Sequence, residues 1–267
     1  MRPLFAAMIA LMAQISVQAQ AGLDWETALE GDQRSAEHRA RDQYRHPRET
    51  LEFFGIQSGM TVVEISPGGS GWYTEILAPL LKGNGTLYAA HSALNPPHPY
   101  YRRSLGSFLQ KLGENNDVYG EVIVTQLQPP MVIDSAPAGS ADLVVSFRNL
   151  HGWINSGILE PVVAEAHRAL KPGGILGVVQ HRAKPGTSLA DMKASGYVTE
   201  SHAIKTIEAA GFELVEKSEV NANPNDSADH PEGVWTLPPQ LRLGDKNRDQ
   251  YLAIGESDRM TLKFRRR

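Results

Sequence analysis

The chain has 267 residues, 41% of them hydrophobic and 21% charged, which is enough for one large α/β domain or two small ones with a substantial core. Its 26 lysines and arginines are outnumbered by 30 aspartates and glutamates, so there is no global basic surface for nucleic-acid phosphates. Because the sequence has no cysteine, disulfides, thiolate zinc sites and a cysteine nucleophile are excluded.

The first 21 residues are typical of a secretory signal peptide. Arg2 precedes an uncharged, mostly apolar run through Val17 that is too short for a comfortable membrane span. Ala19-Gln20-Ala21 places small residues where a signal peptidase requires them, and Val17-Gln18-Ala19 offers a second cleavage position. No later segment approaches the roughly 18 apolar residues of a spanning helix. We therefore expect a periplasmic or secreted protein with no membrane span after signal removal.

Residues 22–54 are expected to form an N-terminal helical arm that lies on a domain spanning residues 55–267. The polar stretch 23–45 favours helix but has too few apolar residues to build a core alone. A short helix over residues 49–54 is predicted to end at Gly55, since glycine readily adopts the left-handed conformation that ends helices.

The domain alternates apolar strands with helices. Strands are predicted over residues 61–65, 86–90, 121–125, 142–146, 175–180, 212–220 and 259–264. Helices are predicted over residues 72–81, 101–112, 158–170 and 199–210, and loops over residues 128–140, 147–155, 182–197 and 221–250. Strands that are apolar on both faces and separated by helices imply a parallel, doubly wound α/β sheet. The last strand alternates apolar and polar residues, which favours an antiparallel strand near the sheet edge.

The most distinctive motif is the turn Glu64-Ile-Ser-Pro-Gly-Gly-Ser-Gly-Trp-Tyr73, between the first strand and the first helix of the domain. Glycines allow the backbone to approach a ligand closely, and free N–H groups at a helix start favour polar or anionic partners. Glu64, at the end of the strand, suits ribose hydroxyls or a cation. The spacing differs from the nicotinamide-binding Gly-x-Gly-x-x-Gly, and the P-loop Gly-Lys-Ser/Thr is absent. Tight packing of strand against helix is the alternative explanation for the glycines.

Four segments carry a family resemblance: residues 64–74, 141–146, 168–174 (Arg-Ala-Leu-Lys-Pro-Gly-Gly) and the tail from Asn221 to Phe264. They resemble the class I S-adenosylmethionine-dependent methyltransferases and, more closely, a group of exported bacterial methyltransferase-like proteins. The resemblance covers nearly all of residues 40–265. It implies a Rossmann-like seven-stranded sheet with the last strand antiparallel. It also implies S-adenosyl-L-methionine as cofactor, at the carboxyl ends of the first and second parallel strands.

The resemblance assigns a set of residues at those strand ends to cofactor binding. They are Glu64, Ser66, Pro67, Gly68, Gly69, Gly71, Tyr73 and His91. In this chain Ser66 stands where the family turn has its first glycine, and the turn is one residue longer. The family usually has an acidic residue after the second strand that holds both ribose hydroxyls, whereas this chain has His91 there. Either His91 or Ser92 makes that contact, or binding is weaker by roughly 1–3 kcal/mol.

The loop after the fourth strand lies at the edge where open α/β sheets bind ligands. It contains His151, the first candidate for a general base because imidazole titrates near neutral pH, although His151 can equally cap the following turn. Arg148 can hold an anionic acceptor through its planar guanidinium group, or pair with Asp142 or Glu160.

Three further residues are candidates for substrate contact. His181 and Arg182 end the fifth strand at the same edge of the sheet, and Tyr44 in the arm can supply a hydroxyl or pack on the domain. The polar residues of the late loop match no metal-ligand pattern, so a solvated turn and no metal site are expected. Those residues are Asp226, Asp229, His230 and Glu232.

The sequence thus predicts an exported S-adenosylmethionine-dependent methyltransferase that acts on a small-molecule or envelope acceptor. The cofactor is made in the cytosol, which favours an alternative: an inactive protein of methyltransferase fold that binds a small ligand in the periplasm. A third hypothesis is that the same fold carries a different reaction.

Overall fold

The computed structural model describes residues 22–267, and the predicted signal peptide, residues 1–21, lies outside them. Four short helices come first: α1 (Trp25–Glu30), α2 (Ala36–Arg39), α3 (Asp42–Arg45) and α4 (Pro47–Phe54). Leu51 and Phe54 of α4 are fully buried and belong to the same hydrophobic cluster as Val62 and Leu77 of the domain. The arm therefore packs into the core of the domain through α4.

Eight strands form one sheet, in the order β4-β3-β2-β1-β5-β6-β8-β7. They are β1 (Thr61–Ile65), β2 (Thr86–His91), β3 (Ile123–Gln128), β4 (Val132–Asp134), β5 (Ala141–Phe147), β6 (Leu170–His181), β7 (Phe212–Ser218) and β8 (Arg259–Arg266). Strands β3, β2, β1, β5 and β6 are parallel to their neighbours in that series, and β8 runs antiparallel to both β6 and β7. The predicted α/β class and antiparallel last strand are confirmed.

The prediction of seven strands is wrong, because β4 adds an eighth that pairs antiparallel with β3. This three-residue strand lies inside the predicted loop 128–140, and so short a segment shows no alternation of apolar and polar residues. The last strand, β8, also lies inside the sheet, with β7 outside it at the edge.

Helices cover both faces of the sheet. They are α5 (Thr74–Leu81), α6 (Pro99–Glu114), α7 (Asn116–Tyr119), α8 (Leu150–Ser156), α9 (Leu159–Ala169), α10 (Leu189–Ser195), α11 (Glu200–Ala209) and α12 (Arg248–Ile254). Successive residues of one strand point into different cores: Leu143 packs in the cluster with α4 and α5, and Val144 in the cluster with α9 and α11. This two-sided burial explains why the central strands are apolar throughout.

Three predicted loops contain short helices instead. Helix α8 lies largely in the predicted loop 147–155, α10 lies in 182–197, and the 3₁₀-helix Gly233–Thr236 lies in 221–250. Buried side chains anchor them, among them Trp153 and Ile154 in α8 and Met192 in α10. Within residues 22–267, no helix is both long and apolar enough to cross a membrane.

Candidate functional site

Two cavities open at the carboxyl edge of the parallel strands. One has a volume of about 370 Å³ and is called here the arginine cavity, because Arg41, Arg148 and Arg259 line it. The other, of about 380 Å³, is lined by His91 and is called the His91 cavity. The residues shared by both linings are Ser66, Gly68, Tyr100, Arg148, Asn149 and His151. A ligand with two parts can therefore occupy both.

The glycine-rich turn separates the two cavities. Ser66 and Gly68 have positive φ angles of 55° and 74°, and the Ser66 N–H donates to the carbonyl of Ala90 over 2.9 Å. The Asn149 amide donates to the Ile65 carbonyl over 2.9 Å, which ties the loop after β5 to the turn. At Gly68 a Cβ atom would meet no heavy atom within 4 Å, so this backbone faces open space. The turn has the shape of a cradle for a ligand.

The structure brings most of the predicted cofactor residues to the cavities. Glu64, Ser66, Pro67, Gly68, Gly69 and Tyr73 line the arginine cavity, and His91 lines the other together with Ser66 and Gly68. Gly71 lines neither: its Cβ position is 2.9 Å from the Phe108 ring, so α6 packs directly on it. Gly71 therefore allows close packing of the turn against α6, and its contact with the cofactor stays a prediction.

Glu64 lies at the arginine cavity but is only 2% exposed. Its Oε2 accepts a hydrogen bond of 2.6 Å from the hydroxyl of Thr74. Burial raises the pKa of Glu64 to about 7, although the Thr74 hydrogen bond opposes the rise. Both the protonated and the ionised form of Glu64 are therefore present near neutral pH.

His91 occupies the place of the family's acidic residue. Its Nδ1 accepts a hydrogen bond of 2.7 Å from the Ser92 N–H, so the neutral ring carries its hydrogen on Nε2. Burial lowers the pKa of His91 to about 4, which keeps the ring neutral at neutral pH. The Nε2 of His91 lies 3.5 Å from the Ser104 hydroxyl and interacts with the Gly68 backbone, so its hydrogen has partners within the protein, whereas a carboxylate would accept from two ribose hydroxyls.

His151 lines both cavities and is held by Gln180. The Gln180 Oε1 accepts from the Leu150 N–H over 3.1 Å, which fixes the amide so that its Nε2 donates to His151 Nδ1 over 3.2 Å. Burial lowers the pKa of His151 to about 4, with Arg148 adding to the effect. The neutral ring then carries its hydrogen on Nε2. This geometry favours donation to a ligand over the predicted role of base, and the partner is Gln180 rather than the following turn.

His181 and Ser257 form a second buried pair in the arginine cavity. The Nδ1 of His181 lies 2.5 Å from Ser257 Oγ, and the ring centroids of His151 and His181, which both line this cavity, are 5.5 Å apart. Burial lowers the pKa of His181 well below its ordinary value, and the charges of nearby arginines lower it further. Arg182, by contrast, lines neither cavity, because its side chain pairs with Asp258, Glu200 and Glu219.

Arg148 does not form the ion pairs considered from the sequence. Asp142 instead accepts from Lys171 and from the Thr61 N–H, and Arg148 reaches the cavities from a backbone with φ 64°. Its guanidinium group therefore remains at the ligand side.

Tyr44 lines neither cavity. Its ring packs on Gly255, where a Cβ atom would lie 2.6 Å from Tyr44 Cε1. This contact agrees with the alternative that Tyr44 packs on the domain, and its role as a catalytic hydroxyl stays a prediction. The expected solvated turn of the late loop is wrong at Asp226, which is buried and accepts hydrogen bonds from Tyr197, His230 and the Asp258 N–H.

Several residues of the arginine cavity had no predicted role. They are Arg41, Trp235, Glu256, Ser257 and Arg259. Glu256 and Arg259 belong to the tail segment that carries the family resemblance, but nothing in their spacing indicates a site. Tyr73 and Phe147 form an aromatic wall, with stacked rings 3.4 Å apart and an interplanar angle of 7°.

No family model matches this chain, and no curated protein sequence matches it. Solved structures do share its fold. An S-adenosylmethionine-dependent methyltransferase from Aquifex aeolicus aligns with a TM-score of 0.54 and 17% identity, over 68% of this chain and 87% of that one. The mitomycin 7-O-methyltransferase MmcR aligns with a TM-score of 0.50 and 15% identity, over 91% of this chain and 60% of that one. The (4+2)-cyclase SpnF aligns with a TM-score of 0.56 and 17% identity, over 93% of this chain and 87% of that one.

These similarities establish the fold that the sequence resemblance implied. A cyclase among the proteins of this fold means that the fold alone does not determine the reaction. The function must be argued from the site.

Proposed function

We propose that the protein is an S-adenosylmethionine-dependent methyltransferase that acts on a small-molecule or envelope acceptor. The observation that carries the proposal is the open backbone at Gly68, at the point where the two cavities meet. Its position at the carboxyl end of β1 is where open α/β sheets bind ligands. The shared fold with methyltransferases supports the same proposal.

The residues of the site fit an adenosyl cofactor. The turn leaves space above Gly68, and His91 and Ser92 supply polar groups in the cavity where the resemblance expects the ribose. When bound, the cofactor supplies a methyl group on a positively charged sulfur. Transfer of that group is an in-line displacement that depends chiefly on positioning. The protein's contribution is then to orient the acceptor, through the aromatic wall of Tyr73 and Phe147 and the His151 donor, which line the same cavity.

Calorimetry with S-adenosylmethionine and S-adenosylhomocysteine tests the proposal. We expect micromolar binding that is lost in Gly68→Trp, because the indole would fill the cradle. Gly173→Trp is the matched control. Gly173 has a φ angle of 77°, close to the 74° of Gly68, and also faces open space, but it lies near the amino end of β6, away from the edge of the sheet that carries the cavities. Both variants place a bulky side chain at a similar positive φ angle, and only Gly68→Trp fills the cavity. Absence of binding at millimolar cofactor would refute the proposal.

A second candidate function is ligand binding without turnover. It is supported by the replacement of the family's acidic residue by His91 and by the hydrogen bond from Gln180 that occupies Nδ1 of His151. Cofactor binding without methyl transfer to any acceptor supplied would favour this candidate.

We also propose that the protein is exported, on the basis of the signal-like residues 1–21. Mass spectrometry of the protein recovered from the periplasm should give an N-terminus at Gly22, or at Gln20 for the alternative cleavage. An intact Met1 on protein found only in the cytosol would contradict export.

A further inference from the structure

The arginine cavity holds a strong excess of positive charge. Arg41, Arg148 and Arg259 line it, and three guanidinium groups, those of Arg41, Arg45 and Arg259, contact the carboxylate of Glu256, which is 2% exposed. Arg41 Nε lies 2.5 Å from Glu256 Oε1, Arg45 Nε lies 3.1 Å from Oε2, and Arg259 also donates to Oε2. Arg148 is the fourth cation and interacts electrostatically with the other groups. Glu256 and the partly ionised Glu64, the carboxylates that line the cavity, do not neutralise four cations.

Several nitrogens of this cluster are buried without a hydrogen-bond partner among residues 22–267. They are Nη2 of Arg41, Nη1 and Nη2 of Arg45, and Nε of Arg259. Arg45 and Arg259 are each only 2% exposed. Buried donors that lack an acceptor are costly, and buried like charges more so. An anionic ligand in contact with Arg41, Arg148 and Arg259, which line the cavity, would supply the missing negative charge.

Some arginines of the cluster hold the fold together, and Arg148 is left unpaired. Arg45 lies 4.5 Å from the ring centroid of Trp72, and Arg259 donates to the Tyr44 carbonyl, so these two hold the arm. The side chain of Arg148 makes no hydrogen bond or ion pair within the described part of the chain. Burial, together with the charge of Arg259, lowers the pKa of Arg148 to about 10, yet the group stays charged at neutral pH. Arg148 is therefore the member of the cluster with no role in holding the fold.

We infer that the arginine cavity binds the anionic group of the methyl acceptor, a carboxylate or a phosphate carried on an aromatic or other apolar body. The planar guanidinium groups of Arg148 and Arg41 suit such oxygens. The apolar body would contact the aromatic side chains of Tyr73, Phe147 and Trp235, which line the same cavity. Calling the anion the acceptor rests on the proposed function, whereas the anion site itself does not.

Binding of benzoate, phenyl phosphate and the uncharged benzamide tests the inference, each measured by ligand-observed NMR with and without saturating S-adenosylhomocysteine. We expect benzoate or phenyl phosphate to bind at least about tenfold more tightly than benzamide, which is the effect of one charge-assisted hydrogen bond. The tighter of the two anions identifies the acidic group. Binding should persist in the presence of S-adenosylhomocysteine.

The variant Arg148→Gln should weaken binding of the anion by about tenfold or more and leave the affinity for S-adenosylhomocysteine unchanged. Arg265→Gln is the matched control, because Arg265 is exposed on β8 and pairs with Ile175 at the far end of β6. A purely structural arginine would lower the thermal midpoint when replaced. Loss of Arg148 instead relieves repulsion among buried cations, so the midpoint should be unchanged or higher.

Binding of benzoate and of phenyl phosphate that is no tighter than binding of benzamide would overturn the inference. So would displacement of the anion by S-adenosylhomocysteine, because the arginines would then hold the carboxylate of the cofactor itself. Anion binding that depends on Arg148 in a protein with no affinity for S-adenosylhomocysteine would support the anion site and refute the methyltransferase proposal separately.

Discussion

A Glu64→Gln variant should gain stability relative to the parent protein as the pH rises from 5 to 8. In the folded chain burial raises the pKa of Glu64 from its ordinary value of 4.5 to about 7. Between these values the folded state binds more protons than the unfolded state, so the parent protein loses stability as the pH rises. At about 1.4 kcal/mol for each tenfold change in the ionisation constant, the loss is about 3 kcal/mol. Glutamine keeps an acceptor for the Thr74 hydroxyl and has no charge to bury.

Urea unfolding at pH 5 and pH 8 measures the effect as a difference in the free energy of unfolding. Glu213→Gln is the control, because Glu213 is exposed on β7 and the change in net charge is the same. Buried histidines also titrate, but they are common to all three proteins and cancel in the difference. If the difference in free energy of unfolding between Glu64→Gln and the parent protein is the same at both pH values, burial does not raise the pKa of Glu64 and the prediction is wrong.

Two further perturbations test the charges of the arginine cavity. Glu256→Gln should lower the free energy of unfolding by about 3–5 kcal/mol, because Arg41, Arg45 and Arg259 would lose their shared carboxylate. Urea unfolding should detect this loss of stability, and added inorganic phosphate should recover part of it. A loss below about 1 kcal/mol would contradict the pairing. Burial lowers the pKa of His151 to about 4, so the parent protein should lose stability as the pH falls from 6.5 towards 4, while His151→Gln should lose less. Parallel acid-unfolding curves for the two proteins would indicate that His151 is solvated.

The central strands could be predicted because their burial is two-sided. Segments such as residues 142–146 are apolar at almost every position, and in the sheet both faces of β5 are covered. The short elements could not be predicted in this way. Strand β4 has three residues and α8 and α10 have seven each, so their stability comes from tertiary contacts, including burial of Trp153 and Met192, rather than from a local pattern.

The residues of the candidate site likewise fall into those that a local sequence pattern indicates and those that only tertiary contacts bring together. The turn around Gly68 is one continuous segment, so its glycines, its strand and its helix could be recognised together. Arg148 was visible because it follows a strand at the ligand edge of the sheet. Arg41 lies in a short helical arm and Arg259 at the start of the last strand, and only the folded chain brings them together at Glu256. No spacing of residues in the sequence predicts this contact of Arg41 and Arg259 with Glu256.

The position of Glu256 links ligand binding to docking of the arm. Its two oxygens hold Arg41 and Arg45 of the arm and also Arg259 of β8, so this carboxylate joins the arm to the last strand. An anion in the cavity would not compete for Glu256, because Arg148 lines the cavity and makes no ion pair within the described part of the chain. The anion would offset the repulsion among the arginines of the cluster and so strengthen the attachment of the arm. Ligand binding and arm docking are then thermodynamically linked. If docking of the arm makes the free energy of ligand binding more favourable, binding of the ligand makes the free energy of arm docking more favourable by the same amount.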